Sequence, residues 1–272
     1  MALRVNDNSN QLFSLRQTQV NHSEISKRLS RIASGLRINQ ASDDVAASAV
    51  AESLSAQGRG LDVAGRNIQD FTSLAQTADA GLGEIQDMTQ RINELSVQAA
   101  NGTLSSEDRL NIQNEISQFT QEIDRQAGSV QFNGQPLLTG TFSSSAQAGP
   151  NSSDTINLTL SAVNSSTLGL SGIDVTSQSG AQSAIGVAQG AVNSIATERA
   201  GIGATVNRLQ SASDFTGNAR ENAAAAESRI RDADVAEELL GLTTAQVREQ
   251  TGLFSLAQGN IDRRNAVRLL GS

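Results

Sequence analysis

Residues 47–99 read ASAVAESLSAQGRGLDVAGRNIQDFTSLAQTADAGLGEIQDMTQRINELSVQA, and their spacing decides the fold. One register of sevens holds Ala47, Leu54, Leu61, Ile68, Ala75 and Leu82. The other holds Val50, Ala64, Phe71, Ala78, Ile85, Ile92 and Ala99. Alternating three- and four-residue steps place both registers on one helical seam, and a repeat of seven supercoils left-handed against a partner. No proline interrupts the stretch. As one helix it is ~80 Å long at 1.5 Å per residue. Near its end the seam slips: Gln57, Thr89 and Ser96 occupy the register, with Met88 and Leu95 beside it. A helix of this length cannot cover its own seam, so the partner helices must lie elsewhere in the chain.

Residues from about Leu3 to Ala33 form the first helical segment. Leu12, Leu15, Ile25, Leu29 and Ile32 make a helix-spaced stripe, while Arg16, Lys27, Arg28 and Arg31 lie on the polar face. His22, between Leu15 and Leu29 at heptad spacing, reads as a seam or interface residue. Gly35 can end this helix in the left-handed conformation. Ser42 or Asp43 can cap the next, with Asp43 and Asp44 at its positive end. Asn101-Gly102-Thr103 stops the long helix, Ser105-Ser106-Glu107-Asp108 caps a new one, and Ile112, Ile116, Phe119, Ile123 and Ala127 give that helix a seam. The short connection makes the two antiparallel neighbours.

From Gly128 to about Thr176 the pattern changes. Asn133-Gly134 is a hairpin dipeptide, and Thr155 to Leu160 alternates as a half-buried strand does. Ragged, exposed loops are expected near Ser143 to Ser153. A second heptad helix resumes near Ser179, with Ile185, Val192 and Val206 in one register and Ala188, Ile195, Ile202 and Leu209 in the other, and reaches about Ala219. The last segment, from Ala223 to Leu270, repeats sevens at Ala233, Leu240, Val247, Phe254 and Ile261. The expected fold is mainly α: an elongated antiparallel coiled-coil helical bundle with a small β-hairpin patch, and terminal helices forming a second helical domain. The expected boundaries are 1–45 plus 224–272 for the terminal domain and 46–223 for the rod, with its hairpin region at 129–176.

Composition narrows the chemistry. The 272 residues carry a net charge of −8, no cysteine, no tryptophan, no tyrosine and one histidine. An acidic chain is a poor general nucleic-acid binder. No apolar run approaches the ~20 residues of a membrane span, and the amino terminus lacks a signal-peptide core. One histidine without cysteine excludes Cys–His and Ser–His–Asp sites and His-rich zinc sites. Gly81/Gly83 and Gly201/Gly203 lack the context of a phosphate loop. No catalytic residue, metal or cofactor is expected, and the chain does not read as an enzyme.

Several blocks resemble bacterial flagellin. They are Leu29-Ser30-Arg31-Ile32-Ala33-Ser34-Gly35-Leu36-Arg37-Ile38-Asn39 with Ala41-Ser42-Asp43-Asp44, then Gln90 to Thr103, Phe132-Asn133-Gly134, Glu227 to Asp234, and Val267-Arg268-Leu269-Leu270. The likeness runs through nearly the whole chain in order, and it is similar to a short form with only the two inner, conserved domains. It implies a structural subunit of the flagellar filament, secreted by the type III export apparatus and self-assembling into an extracellular helical tube for swimming. The implied partners are copies of itself, the filament cap and hook-junction proteins, an export chaperone and, in a host, a Toll-like receptor. No nucleic acid and no membrane insertion are implied. Self-assembly seams fall on Leu12, Leu15, Ile25, Leu29, Ile32, Leu240, Val247, Phe254, Ile261, Leu269 and Leu270. Receptor recognition falls, by resemblance, on Gln90, Arg91, Leu95, Ile112 and Glu115, Arg91 and Leu95 being taken to share one helix face. Family resemblance also raises O-linked glycans on the outward loops 141–153 and 164–167; the composition fits bare loops equally well. Two alternatives differ in class or role. A hook–filament junction protein shares the terminal resemblance, and a membrane-active secreted coiled-coil effector would insert its terminal helices.

Overall fold

A computed structural model describes residues 9–270. The elements in order are α1 (Ser9–Ser34), α2 (Val45–Ala99), α3 (Ser106–Ser129), β1 (Gln131–Phe132), β2 (Gln135–Pro136), β3 (Ser143–Gln147), β4 (Thr155–Thr159), a short 3-10 turn at Leu170–Gly172, α4 (Gln178–Arg231) and α5 (Val235–Leu270). The chain divides into two compact units: Met1–Ala56 with Asn222–Ser272, and Gln57–Glu221.

In the unit formed by residues 57–221 the heptad seam is the core. Leu61, Ala64, Ile68, Phe71, Ala75, Ala78, Leu82, Ile85, Ile92 and Ala99 of α2 are all buried. Against them lie Ile112, Ile116, Ile123 and Ala127 of α3, and Ala181, Ala184, Ala188, Ala191, Ile195, Ile202 and Leu209 of α4. Thr89 and Ser96, where the pattern lapses, are fully buried as well. Each hydroxyl donates to the carbonyl four residues back, at Ile85 and Ile92, both 2.8 Å. The polar atom satisfies itself and the methyl or methylene packs as an apolar group. Gly81 lets the chain after α3 close in, since a Cβ there would stand 2.5 Å from a Val130 methyl. Arg199 reaches Asp79 at 2.9 Å and Gln86 at 2.9 Å, and Arg220 pairs with Asp62, which sets α4 antiparallel to α2.

Local signals explain the ends of α3 and the hairpins. Ser105 and Asp108 form a capping box: the Ser105 hydroxyl accepts from the Asp108 amide at 3.2 Å, and Asp108 accepts from the Ser105 amide at 3.0 Å. The Ser105 hydroxyl also donates to the Asp108 carboxylate at 2.7 Å, and this bond together with the one from the Ser105 amide holds the carboxyl below its ordinary pKa. Asn133 and Gly134, with φ of 50° and 77°, make the positive-φ turn between β1 and β2. The expectation of ragged loops from Ser143 needs correction. Residues 143–147 are strand β3, paired with β4 from Ser143↔Thr159 to Gln147↔Thr155, and the loop proper is 148–154. Ala146 is buried on the face that packs against the core, so a short alternation too weak to read in sequence is completed by its partner. Ser165, inside the loop expected to face outward, is buried with its amide and hydroxyl on Asp124 at 2.8 and 2.7 Å.

In the other unit, α1 ends at Gly35, whose φ is 71° and whose amide bonds the Arg31 carbonyl at 2.8 Å. The chain then pairs with the break between α4 and α5: Leu36 bridges Asp232, Arg37 donates to the Arg231 carbonyl at 2.7 Å, and Ala233 to the Gly35 carbonyl at 2.9 Å. Three expectations are corrected here. The helix does not pause at 219–223. It runs to Arg231, because Asn222-Ala223-Ala224-Ala225-Ala226 is strongly helix-forming. The cap of α2 is Asp44, which accepts from the Ala47 amide at 2.9 Å. Asp43 instead gathers the Asn39 and Gln40 amides, both at 3.2 Å, and these hold its carboxyl below the usual range. Val50 is exposed and Ala51 takes the buried position.

Candidate assembly surface

Helices α1 and α5 pack on each other through a small apolar patch. Ile25, Leu242 and Ala245 are buried there and Ile32 is half-buried against them. Most of the apolar residues of both helices are left outside. Leu12, Phe13, Leu15, Val20 and Leu29 of α1 are exposed, as are Val235, Leu239, Leu240, Val247, Leu253, Phe254 and Ile261 of α5. Leu240 is 70% and Phe254 75% exposed. The predicted seam therefore divides. Ile25 and Ile32 serve the internal pairing, whereas Leu12, Leu15, Leu29, Leu240, Val247, Phe254 and Ile261 stay open. The side chains of Leu269 and Leu270 lie outside the described residues. Phe13, Val20 and Leu253, which the sevens missed, widen the open face. Apolar patches of this kind on an isolated chain mark an interaction surface.

Between the two helices the contacts are mostly polar. Glu238, 8% exposed, accepts from Arg28 at 2.8 Å and Arg31 at 3.1 Å. Arg28 also bonds Glu24 at 3.0 Å. Its hydrogen bond to Glu24 and the nearby Glu238 charge raise its pKa, against burial, which lowers it. Further along, Gln11 donates to Asn260 at 3.1 Å. His22 Nδ1 lies 3.2 Å from Glu249. The histidine ring is largely exposed, so it sits at the edge of the α1–α5 pair; the buried seam position beside it is Asn21.

A second surface lies on α2 and α3. Arg91, half exposed, bonds Glu94 at 2.8 Å and approaches Glu115 at 3.6 Å. The Glu94 bond, helped by the Glu115 charge, raises the Arg91 pKa. Gln90 is exposed beside it. Leu95 and Ile112 are not on this surface. They are 2% and 7% exposed and belong to the core. Four residues along a helix turn the side chain by about 40°, and α3 covers that next strip, so Leu95 leaves the face that Arg91 occupies.

Among the described residues no group of three or more His, Asp or Glu side chains is placed to hold a metal ion. No described helix is long and apolar enough to cross a membrane. A shallow hollow beside Asp124, Leu138, Asn164 and Ser165 has its carboxylate already engaged by Ser165.

Residues 5–143 match the family model of the bacterial flagellin N-terminal helical region, and residues 185–270 that of the bacterial flagellin C-terminal helical region. The chain is 38% identical to a flagellin of Halalkalibacterium halodurans, over 98% of this chain and 99% of that one. It is 36% identical to the flagellar filament 30.7 kDa core protein of Treponema maltophilum, with the same coverage. Among solved structures it is similar to Bacillus cereus flagellin at a TM-score of 0.52 and 32% identity, over 56% of this chain and 88% of that one. A putative flagellar hook-associated protein from Vibrio parahaemolyticus shares the fold at a TM-score of 0.59 and 13% identity, over 70% of this chain and the whole of the other.

Proposed function

The chain belongs to the bacterial flagellin family and is a structural subunit of the flagellar filament, not an enzyme; from that premise we propose that it polymerises through the open apolar faces of α1 and α5. The observation that carries this reading is that Leu240, Phe254 and their neighbours stay exposed after α1 and α5 have paired. Burying them against neighbouring subunits gains ~25 cal/mol per Å² of apolar surface. Isolated helices of one stripe are marginal in water, so the same burial orders them. The test is deletion of residues 1–32. The rest of the chain should keep a folded core at 57–221 and form no filaments; filaments from the truncated chain would overturn the reading.

Other partners follow from the same family membership. Flagellar filaments are extracellular, which requires export. The proposed route is the type III apparatus with its chaperone, followed by assembly against cap and hook-junction proteins at the filament ends. For a host Toll-like receptor, the reading narrows to Gln90, Arg91 and Glu115, with Leu95 and Ile112 acting as core residues beneath that face. Arg91→Ala in soluble monomer, assayed for receptor binding and separately for polymerisation, tests it; unchanged receptor affinity removes the assigned contact.

A further inference from the structure

The apolar repeat of α5 does not define how α1 should lie on it. Leu240, Val247, Phe254 and Ile261 recur every seven residues and point away from α1. Among the described residues, the buried apolar contacts between the helices are Ile25, Leu242 and Ala245, with Ile32 at the edge. A slip of one heptad would preserve much of the pattern. Register must come from something that does not repeat.

Three glycines of α5 mark where it comes from. A Cβ on Gly241 would run into the Arg28 guanidinium, one on Gly252 would stand 2.9 Å from the Thr18 hydroxyl, and one on Gly259 would stand 3.6 Å from the Gln11 amide. Going up α5 from 241 to 252 to 259, the facing residues step down α1 from 28 to 18 to 11, as one antiparallel alignment requires. At the first rung Arg28 lies over Gly241 and, with Arg31, holds the buried carboxylate of Glu238. A slip of seven in one direction puts Ala245 where Glu238 was and Arg248 where Gly241 was. Two arginines would then share a slot that fits one. A slip in the other direction brings Arg231 toward Arg28 and Arg31. A buried charge that loses its partner, or meets a like charge, is strongly unfavourable, and a single buried polar group can set helix register at little gain in stability.

We propose that Glu238, clasped by Arg28 and Arg31 over Gly241, is the residue that sets the register of α1 on α5. It is a positioning residue for assembly and aligns the two open apolar faces into one surface. This rests on the assembly reading above for its consequence, but the register itself is measurable on the monomer.

The test uses the full chain, which has no native cysteine. Thr18→Cys with Gly252→Cys is the native-rung pair, close enough for a disulfide. Thr18→Cys with Gly259→Cys reports a slip of one heptad. Mild oxidation should give the intramolecular native bond and not the slipped one. Adding Glu238→Arg should abolish the native bond, and Arg31→Glu with Glu238→Arg should restore it. Recovery in the double variant separates register from a general loss of folding. A native bond undiminished by Glu238→Arg, or one that the double variant does not recover, overturns the proposal. Filament growth by the cysteine-free parent is scored separately, so failure of the assembly reading is distinguishable from failure of the register.

Discussion

The two helix pairings of this chain use opposite chemistry. Within residues 57–221, α2 meets α3 and α4 through a closed seam whose apolar side chains are buried and whose stray polar groups, Thr89 and Ser96, bond to their own helix. Within the other unit, α1 meets α5 through arginines, carboxylates and amides, and most apolar side chains face out. The first arrangement consumes its hydrophobic surface in its own core. The second leaves that surface exposed, and on the proposed reading other copies of the chain cover it. The same heptad spacing in the sequence thus gives a closed core in one place and an open apolar stripe in the other.

Substitutions break this contrast in opposite directions. Ile92→Ala, in the closed seam, should cost ~2–5 kcal/mol through lost burial and a residual cavity, read as a lower midpoint in denaturant for the monomer. Phe254→Ala, in the open face, should change monomer stability by no more than about 0.5 kcal/mol, yet prevent polymerisation by light scattering. If Phe254→Ala lowered the monomer midpoint as far as Ile92→Ala, the two regions would not differ as described. Ser105→Ala removes one partner of the capping box, and a loss of about 1 kcal/mol is expected, again in the monomer and without effect on filament growth.

Acid should act weakly and on local structure. Asp43 and Asp108 have folded pKa values held below the ordinary carboxylate range by the hydrogen bonds they accept. A depressed folded pKa contributes stability that is fully present above the unfolded value, about 3.9, and is lost as pH falls through the folded one. Amide protection around Asn39 and Gln40 and at the start of α3, taken relative to the intrinsic exchange rate at each pH, should therefore fall below about pH 4 and stay constant between neutrality and 5. Asp43→Asn should remove that response at the first site.

Much of the closed seam was legible because its signal is local and periodic. Leu61 through Ala99 could be placed from spacing alone, and so could the Asn133-Gly134 turn and the Ser105 cap. The missed features depend on contacts between distant residues. Asp232-Ala233-Asp234 carries no strong breaking signal. The helix ends there because Asp234 accepts the Ala236 and Glu237 amides and because Leu36 pairs with Asp232. Leu95 looked like a neighbour of Arg91 until α3 was laid over it. Glu238 looked like one more acidic residue in the first turn of a helix, and only the arginines of α1 give it a role. The open face was legible as a stripe, but not which members, such as Ile25, would be used internally.

Hydrogen exchange followed by mass spectrometry, on monomer and filament of the same preparation, tests the central claim most directly. The account predicts that amides of α2 from 68 to 99 are protected in both states, while those of α5 from 240 to 261 exchange quickly in the monomer and become protected in the filament. Equal protection of α5 in monomer and filament would contradict it, since the terminal helices would then be complete before assembly.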